Sequence, residues 1–86
     1  MIVKYSEEAG LSTSTMLKIA RCESGFNPKA KNPTSTATGV YQVIIGTWKH
    51  FKCEGERTNA EDNIKCGMKI AKTSGLHHWE CWNKNL

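Results

Sequence analysis

The residue best suited to chemistry is Glu23, which stands at the end of a helical pattern in Ala20-Arg21-Cys22-Glu23-Ser24-Gly25-Phe26-Asn27-Pro28. A carboxylate there faces the negative end of the helix macrodipole, where a lysine would be preferred. Its neighbours are weakly polar. Both effects disfavour the charged form and raise the pKa. A carboxylic acid kept protonated near neutral pH is what general-acid cleavage of a glycosidic bond requires. A surface glutamate paired with Arg21 or Lys18 would also fit these few residues, and they do not decide between the two readings. Glycoside hydrolases ordinarily pair such an acid with a second carboxylate. Glu7, Glu8, Glu54, Glu56, Glu61, Asp62 and Glu80 all sit in helix-start or turn contexts that account for them without catalysis.

Four cysteines, Cys22, Cys53, Cys66 and Cys81, are the second chemical signal. They contain no CxxC pair, and His77 and His78 are adjacent rather than spaced as zinc ligands are. Two disulfides are the better reading, with three connectivities open at this point. Disulfides place the chain in an oxidising compartment: extracellular, periplasmic, or on a cell wall or virion. The opening Met1-Ile2-Val3-Lys4 carries no apolar signal segment. An exported longer parent, or another export route, would reconcile the two observations.

The elements that position these residues follow from periodicity. Ile2 to Ala9 reads as a short helix closed by Gly10. Ser12-Thr13-Ser14-Thr15 supplies capping hydroxyls for a second helix, on which Met16, Ile19, Ala20 and Glu23 share one face. Gly25 and Pro28 stop it. Asn27 to Thr38 is a loop long enough to be functional. Gly39 to Ile45 is β-branched and aromatic, so propensity predicts a strand. Thr47 could cap a short helix carrying Trp48 and Phe51. After the polar turn Cys53 to Arg57, Asn59 opens the clearest helix, with Glu61 and Asp62 in its first turn, and Gly75 closes it. Ile64, Gly67, Met68 and Ala71 form its buried stripe. Leu76 to Trp82 is too aromatic for a free tail and should be tied down through Cys81.

With 86 residues the chain is read as one small domain, 1–86, of a size that often needs covalent staples. No apolar run is long enough for a transmembrane helix. The net charge of +4 suggests a polyanionic neighbour. The basic residues are scattered, however, and no nucleic-acid motif accompanies them, so nucleic acid is not an expected partner.

Taken together, Ile19 to Ala30, then Ala37-Thr38-Gly39-Val40-Tyr41-Gln42 and Thr47-Trp48, resemble the soluble lytic transglycosylase family of the lysozyme superfamily. The order and spacing match over roughly residues 12 to 50. The family's usual Ala-Tyr-Asn-Ala-Gly segment is absent. In its place Gly75 to Trp82, together with the Cys-Glu-Ser-Gly of Cys22 to Gly25, is similar to the compact resuscitation-promoting-factor domains. That likeness implies a Cys22–Cys81 bridge, which leaves Cys53–Cys66 as the other.

The resemblance implies a mainly α, small lysozyme-like (α+β) fold with a short β-ribbon or extended segment at Val40 to Ile45, stapled by two disulfides. It implies Glu23 as catalytic acid/base, with Ser24, Tyr41 and Gln42 along a glycan groove. Trp48, Trp79 and His77 are further candidates for substrate contact; at least one tryptophan should be core, and the histidines could equally be surface residues. The implied reaction is non-hydrolytic cleavage of peptidoglycan between N-acetylmuramic acid and N-acetylglucosamine by a monomer, with no cofactor or metal. The alternatives are a hydrolytic muramidase in which Glu80 or another acid positions water, a non-catalytic peptidoglycan-binding module, and a cystine-stapled secreted effector.

Overall fold

The helix that carries Glu23 begins at Ser12, whose Oγ accepts a hydrogen bond from the Thr15 N–H at 3.3 Å. This is side-chain capping of an otherwise unpaired helix-start donor. In the computed structural model, which describes residues 1–84, it is the second of five helices: α1 (Ile2–Glu8), α2 (Thr13–Ser24), α3 (Ile45–His50), α4 (Ala60–Ser74) and α5 (Glu80–Asn83). α2 buries Met16, Ile19 and Ala20 and stops where Gly25 turns left-handed at φ +61°. Only glycine adopts that conformation without a Cβ penalty. Phe26 follows it into the same region at φ +64°, so the chain reverses directly after the glutamate.

α4 starts as its sequence pattern predicts, with the Asp62 N–H donating to Asn59 Oδ1 at 3.0 Å. Its buried side holds the expected Ile64, Gly67, Met68 and Ala71, and also Asn63, Cys66 and Ile70. α1 packs on both α2 and α4. The buried Ser6 of α1 donates to the Val3 carbonyl and shares a 2.7 Å hydrogen bond with Thr13 Oγ1 at the start of α2. One hydrophobic cluster joins these helices to Val40, Tyr41, Val43 and Trp79. The two disulfides are Cys22–Cys81 and Cys53–Cys66. A mainly helical fold stapled by two bridges is therefore observed.

The middle segment differs from the strand that propensity predicts. Among the described residues the β-structure is two isolated bridges, Lys31 with Thr38 and Thr38 with Val43, and Gly39 to Gln42 between Thr38 and Val43 is a tight turn. A strand would point the neighbours Val40 and Tyr41 to opposite faces. Here both enter the core, at 3% and 0% exposure, which a turn allows and a strand does not. Gln42 accepts a left-handed φ of +48° to close the turn. The extended segment thus survives only as this pair of bridges. α3 then begins at Ile45, ahead of Thr47, and Ile44 takes the N-cap position without a side-chain cap.

Candidate active site

Glu23 is half-buried on the last turn of α2. Its Oε2 accepts a hydrogen bond from the backbone N–H of Cys81 at 3.1 Å. Burial pushes its carboxyl above the ordinary carboxylate range. The Cys81 N–H opposes this as the next effect, Glu80 adds to the rise, and Lys84 pulls it down. The geometry therefore stores a partly desolvated carboxyl, which favours the protonated form that a general acid uses, oriented by one fixed donor.

Ser24, the next residue, faces the turn. Its Oγ donates to the Val40 carbonyl at 2.7 Å and approaches the Ala20 carbonyl at 3.2 Å. This hydroxyl fastens the end of α2 to the Gly39–Gln42 turn. Gln42, half-buried, donates through Nε2 to the carbonyls of Ala30 and Gly39, at 3.0 and 2.9 Å. Two carbonyl partners fix which way the amide points, since only its NH2 can donate. Its Oε1 then has no hydrogen-bond partner among the described residues.

Tyr41 is fully buried, and its hydroxyl donates to the Met16 carbonyl at 2.8 Å. Burial raises the phenol well beyond its usual range. Its ring lies over Gly67, where a Cβ would come within 2.6 Å of Cδ2, and 5.6 Å from the ring of Trp79. Trp79 is 3% exposed and donates from Nε1 to the Tyr41 carbonyl at 2.9 Å. Of the two readings open for these rings, sugar platform or core, the burial favours core: each polar handle is already paired inside. Both residues, with Gln42, Ile44, Thr47 and His78, nevertheless border a cavity of about 150 Å³. His77 does not line it. Trp48 borders a different cavity beside Lys49 and Arg57. Among the three candidate aromatics and His77, then, the structure brings together only Tyr41 and Trp79.

The histidines form a small stack. His78 lies edge-on to Phe51 at 5.6 Å and beside His77 at 4.4 Å, and Phe51 meets His50. Burial lowers the His78 pKa, helped by His77 and His50. All four cysteines are in disulfides, so none is a metal ligand. Among the described residues no group of three or more His, Cys, Asp or Glu is placed to hold a metal ion.

Two supporting residues escape the sequence patterns. Asn63 is fully buried: its Oδ1 accepts from the Tyr41 N–H at 2.8 Å, and its Nδ2 donates to the carbonyls of Thr38 and Arg57. Arg57 in turn donates to the carbonyls of Thr36 and Val43 and to Thr38 Oγ1. Together they satisfy backbone groups of the turn and its flanks that have no partner within a regular element. The one available signal was Asn63 itself, a polar residue beside Ile64 on the buried side of α4.

Residues 1–75 match the family model described as Transglycosylase SLT domain. Similar curated relatives include "Probable transglycosylase SceD" from Staphylococcus aureus strain Newman and its counterpart in strain USA300. Each is 37% identical over 83 residues, covering 88% of this chain and 36% of the relative. The chain thus spans about a third of the length of these relatives. No solved structure matches.

Proposed function

We propose, from the premise that this chain belongs to the transglycosylase SLT domain family, that it is a peptidoglycan lytic transglycosylase with Glu23 as acid and base. The observation that carries this reading is the half-buried Glu23 carboxyl, held by the Cys81 N–H beside the Ser24-anchored turn. The glycan strand lies along that turn. Gln42 Oε1 accepts from a hydroxyl or N-acetyl N–H of the sugar, since its amide donors are occupied.

In the reaction, protonated Glu23 gives its proton to the glycosidic oxygen between N-acetylmuramic acid and N-acetylglucosamine. The C1–O bond breaks, and the sugar's N-acetyl group steadies the positive centre. The Glu23 carboxylate then takes the proton of the C6 hydroxyl, whose oxygen attacks C1 to close a 1,6-anhydro ring. The acid is restored, and no water is consumed. The chain works in this way as one domain and a monomer, exported to the compartment in which its disulfides form.

A hydrolytic muramidase is the second reading, favoured by Glu80, whose charge acts on Glu23 from the first turn of α5. Glu80 is, however, highly exposed and paired with Lys84 at 3.0 Å, a poor setting for activating a water molecule. Mass spectrometry of muropeptides released from purified sacculi separates the two: anhydro ends are expected, and reducing ends alone would establish hydrolysis.

A further inference from the structure

Glu23 is held from outside its own helix by a segment that arrives from the far end of the chain. Trp79 anchors that segment by its buried ring and its bond to the Tyr41 carbonyl. Two residues later Cys81 makes two connections to adjacent residues of α2: a disulfide to Cys22 and an N–H donated to Glu23. Cys81 is buried, and α5 packs directly on α2.

The disulfide therefore joins the residue before the carboxyl to the residue that supplies its hydrogen bond. A free α5 of four residues would not hold that place, since a helix so short has almost no stability of its own. We infer that Trp79 to Cys81 is the positioning element of the active site, and that the Cys22–Cys81 bridge sets the orientation of Glu23. This rests on the lytic transglycosylase reading and assigns no new contact with substrate. Cys53–Cys66 has no such part, as it links the turn after α3 to the middle of α4.

The charged groups acting on Glu23 are Glu80 in the first turn of α5 and Lys84 at its C-cap. The Gly39–Val43 turn contributes none, and Arg21 on α2 is exposed. Releasing α5 removes the cover that desolvates the carboxyl, together with the smaller opposing effect of the N–H. Because burial is the larger effect, the carboxyl returns toward the ordinary range and loses its proton at lower pH.

The test is the rate of sacculus solubilisation across pH for Cys22→Ser/Cys81→Ser, with circular dichroism at each temperature used. A folded variant should lose about 100-fold in rate, the scale of a misplaced catalytic group. Its alkaline limb should also move to lower pH, which a merely looser fold would not produce. In the intact disulfide background, Glu80→Gln should move that limb down and Lys84→Gln should move it up. A folded pair variant with wild-type rate and limb would overturn the inference. If the pair variant does not fold, the two charge variants decide, and unmoved limbs overturn it. Glu23→Gln at wild-type rate would instead remove the underlying reading, which keeps the two failures distinct.

Discussion

At the scale of single residues, Glu23 is a carboxyl that folding has placed at a disadvantage. Burial raises its pKa, so the folded state holds the proton more tightly than the unfolded chain. By linkage, stability from this group is complete below the unfolded carboxyl pKa and is lost as pH rises through the folded one. Glu23→Gln keeps an acceptor for the Cys81 N–H and never charges. Its melting temperature should match the wild type in acid and exceed it above the raised pKa, measured by thermal denaturation across pH. A variant equal to or less stable than the wild type at neutral pH would show that the charge is not costly there. The position of Glu23 at the end of α2 was legible in the sequence, whereas its proposed role as acid came from the resemblance and not from the local residues. For Tyr41 and Trp79 the sequence left core and sugar contact both open, because an aromatic side chain looks the same to a sequence reader whether it faces sugar or protein.

At the scale of elements, α1, α2 and α4 were readable from periodicity and end signals, whereas the start of α3, the short α5 and the middle segment were not. Asn59 and Ser12 each satisfy helix-start donors locally, so the information sits within a few residues. The Gly39–Gln42 turn depends instead on Asn63, more than twenty residues away, and on Arg57. No local propensity encodes such partners, and the β-branched composition pointed to a strand. The turn also needs a flat place on α4 for the Tyr41 ring, which Gly67 provides. Gly67→Ala improves helix propensity, yet its Cβ would meet that ring at 2.6 Å. Overpacking should win and cost about 1–3 kcal/mol, read from denaturant unfolding. A stabilised Gly67→Ala would mean that the Tyr41 ring can move aside.

At the scale of the whole molecule, a chain with so small a core is held by where its bridges close. Cys53–Cys66 spans 13 residues and Cys22–Cys81 spans 59. The chain-entropy model gives them about 3 and about 4 kcal/mol respectively. Cys53→Ser/Cys66→Ser should therefore lower the melting temperature by roughly 12–24 °C for a domain of this size. Activity per folded molecule should persist below the transition, which would separate this staple from the one beside Glu23. Loss of activity in a folded variant would tie both bridges to the site. The pairing itself came from likeness to other domains, since four cysteines alone allow three arrangements. The central claim is that Glu23 delivers the proton and then closes the anhydro ring, and one measurement reaches it most directly. Purified sacculi are digested with wild-type protein and with Glu23→Gln, and the released muropeptides are quantified and weighed. The account predicts 1,6-anhydro ends from the wild type and about 100- to 10,000-fold less release from the variant. Equal release by the two proteins would contradict it.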